Sequence, residues 1–312
     1  MTGTMNYSNN SNPSNVSLDV CSLPVAHGTA LITTNALVGL LGTLGNLLVC
    51  MAVATNARLR RCSNYLLVSL AVADLIAALI CEPLFLNILA RRTFYNDCVW
   101  SVERVYLFIS NFSAAASVVH MSAISIDRFI AVVFPICHKT VMQNVGIKAI
   151  LIASWLLTIA LFFIAIFLPV PAPVKGFLHL AIFILCYVII FVSYTLIVIS
   201  LVRQKRIRDQ MNAHPSNAAN SRSEARTAFT LAIVIAVFTL CWFPLFIVFV
   251  STQKPLVKRY GLAHFWIRTV TLANSAMNFL IYGSRMRNFS ETYAAIFRKI
   301  LGCARVCQFK SR

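Results

Sequence analysis

A single carboxylate, Asp74, lies in the run Leu70-Ala71-Val72-Ala73-Asp74, with apolar sequence on both sides. Other polar side chains sit in equally apolar surroundings: Asn46, Ser117, and the group Asn274, Ser275 and Asn278. The last three are spaced so that they share one face of a helix. One acid with several oxygen donors in an apolar medium does one of two things. It holds a small cation in a wet cluster, or it ties neighbouring helices together by hydrogen bonds. The residue types leave both open. A second group, Asp127-Arg128-Phe129, ends an apolar run and reads as an interfacial ion pair whose arginine reaches for water. A third, Cys241-Trp242-Phe243-Pro244, reads as a proline kink with a large ring packed beside it. No His/Asp/Glu or Ser/His constellation converges, so an enzyme is not expected.

The elements that must position these groups are long and apolar. The chain has 312 residues, of which 59% are hydrophobic and 12% charged, against roughly half and a quarter in a soluble domain. The apolar residues fall in seven blocks, roughly 29–55, 64–90, 99–130, 145–170, 176–202, 224–251 and 261–283. About 20 apolar residues cross a bilayer core of about 30 Å as a helix. Lipid offers no partner to the backbone, so each block must bond its own N–H and C=O groups. The expected fold is all-α, a bundle of seven transmembrane helices. The first block follows a polar stretch without basic residues and runs on into a basic loop, unlike a cleavable signal peptide. After the seventh block, Arg285 to Ile300 carries Phe289, Tyr293, Ile296, Phe297 and Ile300 at helical spacing. That predicts a short amphipathic eighth helix lying on the membrane. Cys303 and Cys307, just beyond it, suit palmitoylation. The chain thus divides into a tail (1–28), a transmembrane domain (29–283) and a cytoplasmic segment (284–312).

The net charge of +18 would suggest nucleic acid in a soluble protein. Here most of the 27 Lys and Arg fall in the segments that alternate with the tail, and the first 28 residues hold none. The positive-inside rule then places the N-terminus outside and the basic face against anionic lipid head groups in the cytoplasm. No nucleic-acid partner is expected. Asn6, Asn9 and Asn15 each open an Asn-x-Ser sequon in the outer tail, which predicts glycosylation there. Only Cys21 and Cys98 are clearly outside, where a disulfide between them persists.

Taken together, and in this order along the chain, these pieces resemble the rhodopsin-like (class A) G-protein-coupled receptors over about residues 29–300. Asn46 resembles the asparagine of their first helix, Leu70–Asp74 their LAxAD motif, and Asp127-Arg128-Phe129 their DRY motif. Pro135-Ile136 resembles the PL pair of the second inner loop. Cys241-Trp242-Phe243-Pro244 matches CWxP, and Asn274 to Tyr282 resembles NSxxNPxxY. Tyr194 matches the tyrosine near the inner end of the fifth helix. The resemblance implies a plasma-membrane receptor with two states. An extracellular ligand biases an outward swing of the sixth helix about Pro244, opening a cleft for a heterotrimeric G protein. Arg128, Tyr194 and Tyr282 rearrange there, beside Asp127, and Ile136 contacts the G protein. It also implies a sodium ion as allosteric cofactor, held by Asp74 among Asn46, Ser117, Trp242, Asn274, Ser275 and Asn278 and favouring the inactive state.

The departures carry expectations of their own. Phe279 replaces the proline of NPxxY, which predicts a straighter seventh helix and weaker or differently regulated coupling. The fifth helix has no proline. Glu103 stands where the family has its third-helix cysteine, and the link between the fourth and fifth helices is very short and lacks cysteine. These last features also occur together in melanocortin receptors. That likeness implies that Glu82 and Glu103 stand in for an acidic site binding ligand and calcium. Read from the residues alone, Glu103 is a solvated helix start, and Glu82 pairs with Arg104 or Arg268. Ser110 takes the place of the aspartate of aminergic receptors, and the seventh block has no lysine for retinal. The expected pocket is Glu82, Glu103, Tyr106, Ser110, Asn111, Phe183, Trp242 and Phe246, fit for a peptide, a lipid or a neutral small molecule. The rivals are a receptor-like decoy or scaffold that does not signal, suggested by Phe279, and a transporter, which the lack of an internal repeat or paired broken helices disfavours.

Overall fold

The computed structural model describes residues 21–167, 172–211, 215–251 and 261–310. Seven long helices form one bundle, and an eighth lies at its inner end. They are α1 (Val25–Thr55), α2 (Cys62–Phe94), α3 (Trp100–Val133), α4 (Ile147–Phe167), α5 (Ala172–Met211) and α6 (Pro215–Ser251). The seventh, α7, runs Leu262–Ala273, tightens into a 3-10 turn over Asn274–Ala276 and resumes over Asn278–Arg285. The eighth, α8, spans Arg287–Lys310. Among the described residues, five helices are long and apolar enough to cross a membrane. The seventh block falls short of that length because its helix is broken in the middle.

The helices are apolar all round, so a polar residue marks the inward face better than an apolar one does. In α1 the buried stripe is Leu31, Asn35, Gly42, Asn46, Val49 and Val53, at helical spacing. Leu37, Leu40, Leu44 and Leu47 are exposed on the opposite side, where lipid would lie. The third helix runs through the centre, and nearly all of its residues from Ser113 to Ser125 are buried. The inner half of the core gathers Leu66, Leu70, Val118, Ile124, Phe238 and Tyr282. A separate outer cluster gathers Leu31, Phe85, Ile88, Tyr106 and Phe265.

Two local breaks set the site. In α2, Ala77–Cys81 widens into a π turn just before Pro83. Proline lacks the N–H for the carbonyl four residues back, and its ring crowds that carbonyl; one wide turn relieves both. In α7 the break occurs without proline, so the expectation of a straighter seventh helix is not met. The Ser275 carbonyl accepts from Asn46 Nδ2 at 2.9 Å. The Met277 amide turns back to the Asn274 carbonyl at 3.0 Å. The Asn278 side chain is drawn to Asp74 at 2.6 Å. Side chains of α1 and α2 thus hold the irregular turn that a proline would otherwise enforce.

The outer end is closed by Cys21–Cys98, with Cα atoms 5.1 Å apart, and by the Leu23 amide on the Arg92 carbonyl at 3.1 Å. Non-reducing peptide mapping of the intact protein should recover the Cys21–Cys98 pair; free alkylation of both thiols would contradict it. At the inner end α8 buries Phe289 and Tyr293 beneath Tyr282, with ring centroids 5.8 and 5.9 Å apart along that stack. Asn56 ties its first turns down through Thr292 at 2.6 Å. Phe297 and Ile300 stay exposed. The sequons at Asn6, Asn9 and Asn15 lie outside the described residues, as do the side chains of Cys303, Cys307 and Phe246.

Candidate functional site

Asp74 is buried in α2 and joins three helices. Its Oδ2 accepts from Asn278 of α7 at 2.6 Å, and its Oδ1 accepts from Ser117 of α3 at 3.3 Å. Directly outward is a cavity lined by Ser113, Ser117, Trp242, Asn274 and Ser275, with Phe238 at one wall and Cys81 and Ser110 at its outer end. It offers about 20 Å³ to the centre of a water-sized particle. That is room for a water or a small ion and too little for an organic ligand. The Trp242 indole N–H and the Asn274 side-chain oxygen Oδ1 are buried without a partner. Such a donor and acceptor near a carboxylate are groups that a bridging water or ion could meet. Beside Asp74 the Ser113, Ser117 and Ser275 hydroxyls offer oxygen ligands of the kind a hard cation takes, while Asn278 presents its amide nitrogen. Of the residues expected here, Asn46 stands slightly apart. Its Nδ2 serves the Gly42 and Ser275 carbonyls, and it shapes α7 rather than meeting Asp74.

The second group sits at the inner end of α3. Arg128 is bound to Asp127 through two nitrogens. The other oxygen of Asp127 accepts from His138 Nε2 at 2.9 Å and from Ser63 at 3.3 Å. Asp127 therefore ties α2, α3 and the second inner loop together and holds Arg128 to itself. Nothing in the sequence singles out His138; only the turn after Pro135 brings it back over α3. The Tyr194 and Tyr282 hydroxyls are both buried without a hydrogen-bond partner. Ile136 is 79% exposed on the inner loop, free for a partner. Pro244 lies within α6, two residues from Trp242, which stacks on Phe238 at 5.6 Å and meets Phe183 of α5 at 6.0 Å.

The outer pocket differs from the expectation in three places. Asn111 is exposed on α3, one residue round the helix from Ser110, and does not face the bundle. Helical phase explains this: successive residues lie about 100° apart, and α3 turns Ser110 to the cavity and Asn111 to the outside. Glu103 is not a solvated helix start. It is buried, and its Oε1 accepts from two Arg92 nitrogens at 3.0 and 2.5 Å. Glu82 is buried too, and neither of its oxygens has a hydrogen-bond partner; it pairs with neither Arg104 nor Arg268. Tyr106 stacks on Phe85 at 5.2 Å.

One polar chain escaped the sequence entirely. Trp155 of α4 donates to Ser69 of α2 at 2.8 Å, Ser69 meets His120 Nε2 at 2.8 Å, and His120 Nδ1 bonds the Ala116 carbonyl at 2.7 Å. A fully buried histidine with both ring nitrogens engaged is structural.

Residues 45–170 and 170–282 match the family model described as 7 transmembrane receptor (rhodopsin family). The chain is 28% identical to the histamine H2 receptor of Canis lupus familiaris over 288 residues, 81% of this chain and 75% of that one. It is 26% identical to the adenosine receptor A2a of Homo sapiens over 313 residues, 88% of this chain and 74% of that one. The solved structure of squid rhodopsin superposes with a TM-score of 0.78 at 20% identity, covering 90% of this chain and 88% of the other. With the seven helices and their buried polar groups in place, the chain belongs to the rhodopsin family of seven-transmembrane receptors, and it is a membrane receptor rather than an enzyme.

Proposed function

We propose that this chain is a plasma-membrane receptor, its N-terminus outside, that couples an extracellular ligand to a heterotrimeric G protein through outward movement of α6. The observation that carries the reading is the set of two polar locks stacked along one bundle. Asp74 joins α2, α3 and α7 beneath Trp242, and Asp127 retains Arg128 at the inner end. A ligand that moves Trp242 and α6 acts on the first lock, and release of Arg128 opens the second. The unpartnered Tyr194 and Tyr282 hydroxyls are the groups for Arg128 and water to meet afterwards. Ile136, exposed on the inner loop, is the contact this reading gives the G protein.

Sodium at Asp74, with Ser117, Ser275 and Asn278 as partners, favours the closed arrangement in this reading. Calcium at Glu82 is the weaker cation assignment, since Glu103 is already engaged by Arg92. The histamine H2 likeness points to an amine, but Ser110 stands where aminergic receptors carry their aspartate, so a simple amine lacks its usual anchor.

The test is GTP exchange in membranes holding the receptor and a panel of G proteins. Replacing potassium by sodium at equal ionic strength should lower basal exchange, and Asp74→Asn should abolish the difference. A sodium response that survives in the mutant removes the ion from Asp74. Absence of exchange with every G protein and every ligand tried would leave the decoy reading.

A further inference from the structure

Near Tyr106 lie two buried ionisable side chains that make no ion pair with each other. Arg268 of α7 is 6% exposed, and its guanidinium carbon stands 5.0 Å from the Tyr106 ring centroid. Among the described residues it makes no hydrogen bond or ion pair. Glu82 of α2 is 2% exposed and leaves its helix against Gly39 of α1, where a Cβ would come within 3.2 Å of its own. Both of its oxygens lack a partner. A third orphan acceptor is close by in the sequence of the same face: Asn35, one turn before Gly39. Its nitrogen donates to Thr269 at 2.9 Å while its oxygen is buried and unmet. Thr269 is the neighbour of Arg268.

Such an arrangement is costly for an empty protein. A buried carboxyl with unused acceptors carries a desolvation penalty that an ion pair would relieve, and Arg268 keeps donors that no hydrogen bond takes. The other outer pair, Arg92 with Glu103, does close. Charges kept apart in the same outer cluster are complementary to a ligand that brings the opposite charge to each. A primary ammonium offers three N–H donors, matching the three orphan oxygens of Glu82 and Asn35. A carboxylate or phosphate matches the fork of Arg268. We infer that the outer half of the bundle binds a small zwitterion, its ammonium on Glu82 and Asn35 and its anionic group on Arg268, across the Tyr106 ring. This rests on the receptor reading and names the ligand class of its outer site, one carrying both charges rather than a neutral molecule or a simple amine.

The test uses the full chain in nanodiscs and reads its thermal midpoint. The probes are the common α-amino acids, β-alanine, γ-aminobutyrate and phosphoethanolamine, each beside a form blocked at the amine or the acid. Lysophosphatidylethanolamine and calcium chloride are run in parallel. At least one zwitterion should raise the midpoint by about 2 °C or more at saturation, and its blocked forms should not. Glu82→Gln and Arg268→Gln should each raise its half-saturating concentration tenfold or more. Without ligand, Glu82→Gln should raise the midpoint, because the amide is cheaper to bury than an unpaired carboxylate. A shift from the lysolipid alone supports the same chemistry with a lipid as its source. No shift from any zwitterion or lysolipid, equal shifts from blocked forms, or a Glu82-dependent shift from calcium alone would each overturn the inference. GTP exchange is scored separately: a zwitterion shift without exchange sinks the G-protein reading and keeps this one, and exchange without any such shift does the reverse.

Discussion

Arg92→Ala is expected to cost the receptor about 3–5 kcal/mol of stability, the usual penalty for stranding one member of a buried ion pair. Its partner Glu103 sits on α3 at 4% side-chain exposure, and Arg92 itself at 1%. Water therefore cannot reclaim the carboxylate when the guanidinium is removed. The Arg92 guanidinium also lies 5.4 Å from the Phe265 ring and 5.8 Å from the Trp100 ring, so its loss empties a cage linking α2, α3 and α7. The strand of chain leading to Cys21 hangs on the Arg92 carbonyl, so the damage should reach the outer cap. The double variant R92M/E103M separates charge from packing. An apolar pair of similar volume is commonly neutral or better than a buried ion pair, so it should recover most of the lost thermal midpoint. An Arg92→Ala protein within about 1 kcal/mol of its parent, or a double variant no better than the single one, would show that the pair does not hold the outer bundle.

That pair also shows where sequence reading stops. Hydropathy runs depend only on neighbouring residues, so the seven blocks are visible in the sequence by itself. So are the polar positions within them, because a lone Asp74 or Asn278 stands out against apolar sequence. Rotation about each helix axis is different. Ser110 and Asn111 are adjacent, both polar, and equally eligible for a pocket until packing turns one inward. Partners across the bundle are harder still. Arg92 and Glu103 belong to different helices, and only the closed turn between them makes an arginine at one helix end the natural mate of a glutamate at the next start. His138 reaches Asp127 because the second inner loop folds back, a path with no local signature. The α7 turn departs from expectation for a related reason. A proline is a local cause of a kink, but the carbonyl of Ser275 and the side chain of Asn278 are captured by residues more than 200 positions away in sequence.

Gly45→Ala should destabilise the receptor, by about 1–3 kcal/mol if the neighbours can yield as an overpacked core usually does, and Gly45→Val should cost more. The cause is Phe279. Its ring lies directly over the backbone of Gly45, so that a Cβ there would fall inside the ring. Gly42, one turn earlier, faces Ala78 and Ala276 and brings α1 close to α7 along the same edge. The residue that replaces the family's proline is thus not idle: it braces the resumed half of α7 against α1, beside the turn held by Asn46 and Asn278. Phe279→Ala in the Gly45→Ala background should restore the midpoint, because the slot is then free for the new methyl group. Phe279→Pro tests the functional half. It removes the brace while the turn, already held by side chains, keeps its shape, so basal GTP exchange should change at equal surface expression. If Gly45→Ala is neutral, or if its loss persists in G45A/F279A, the brace is absent. If Phe279→Pro leaves exchange unchanged, the brace stabilises both signalling states alike, and this departure from the family pattern serves packing alone.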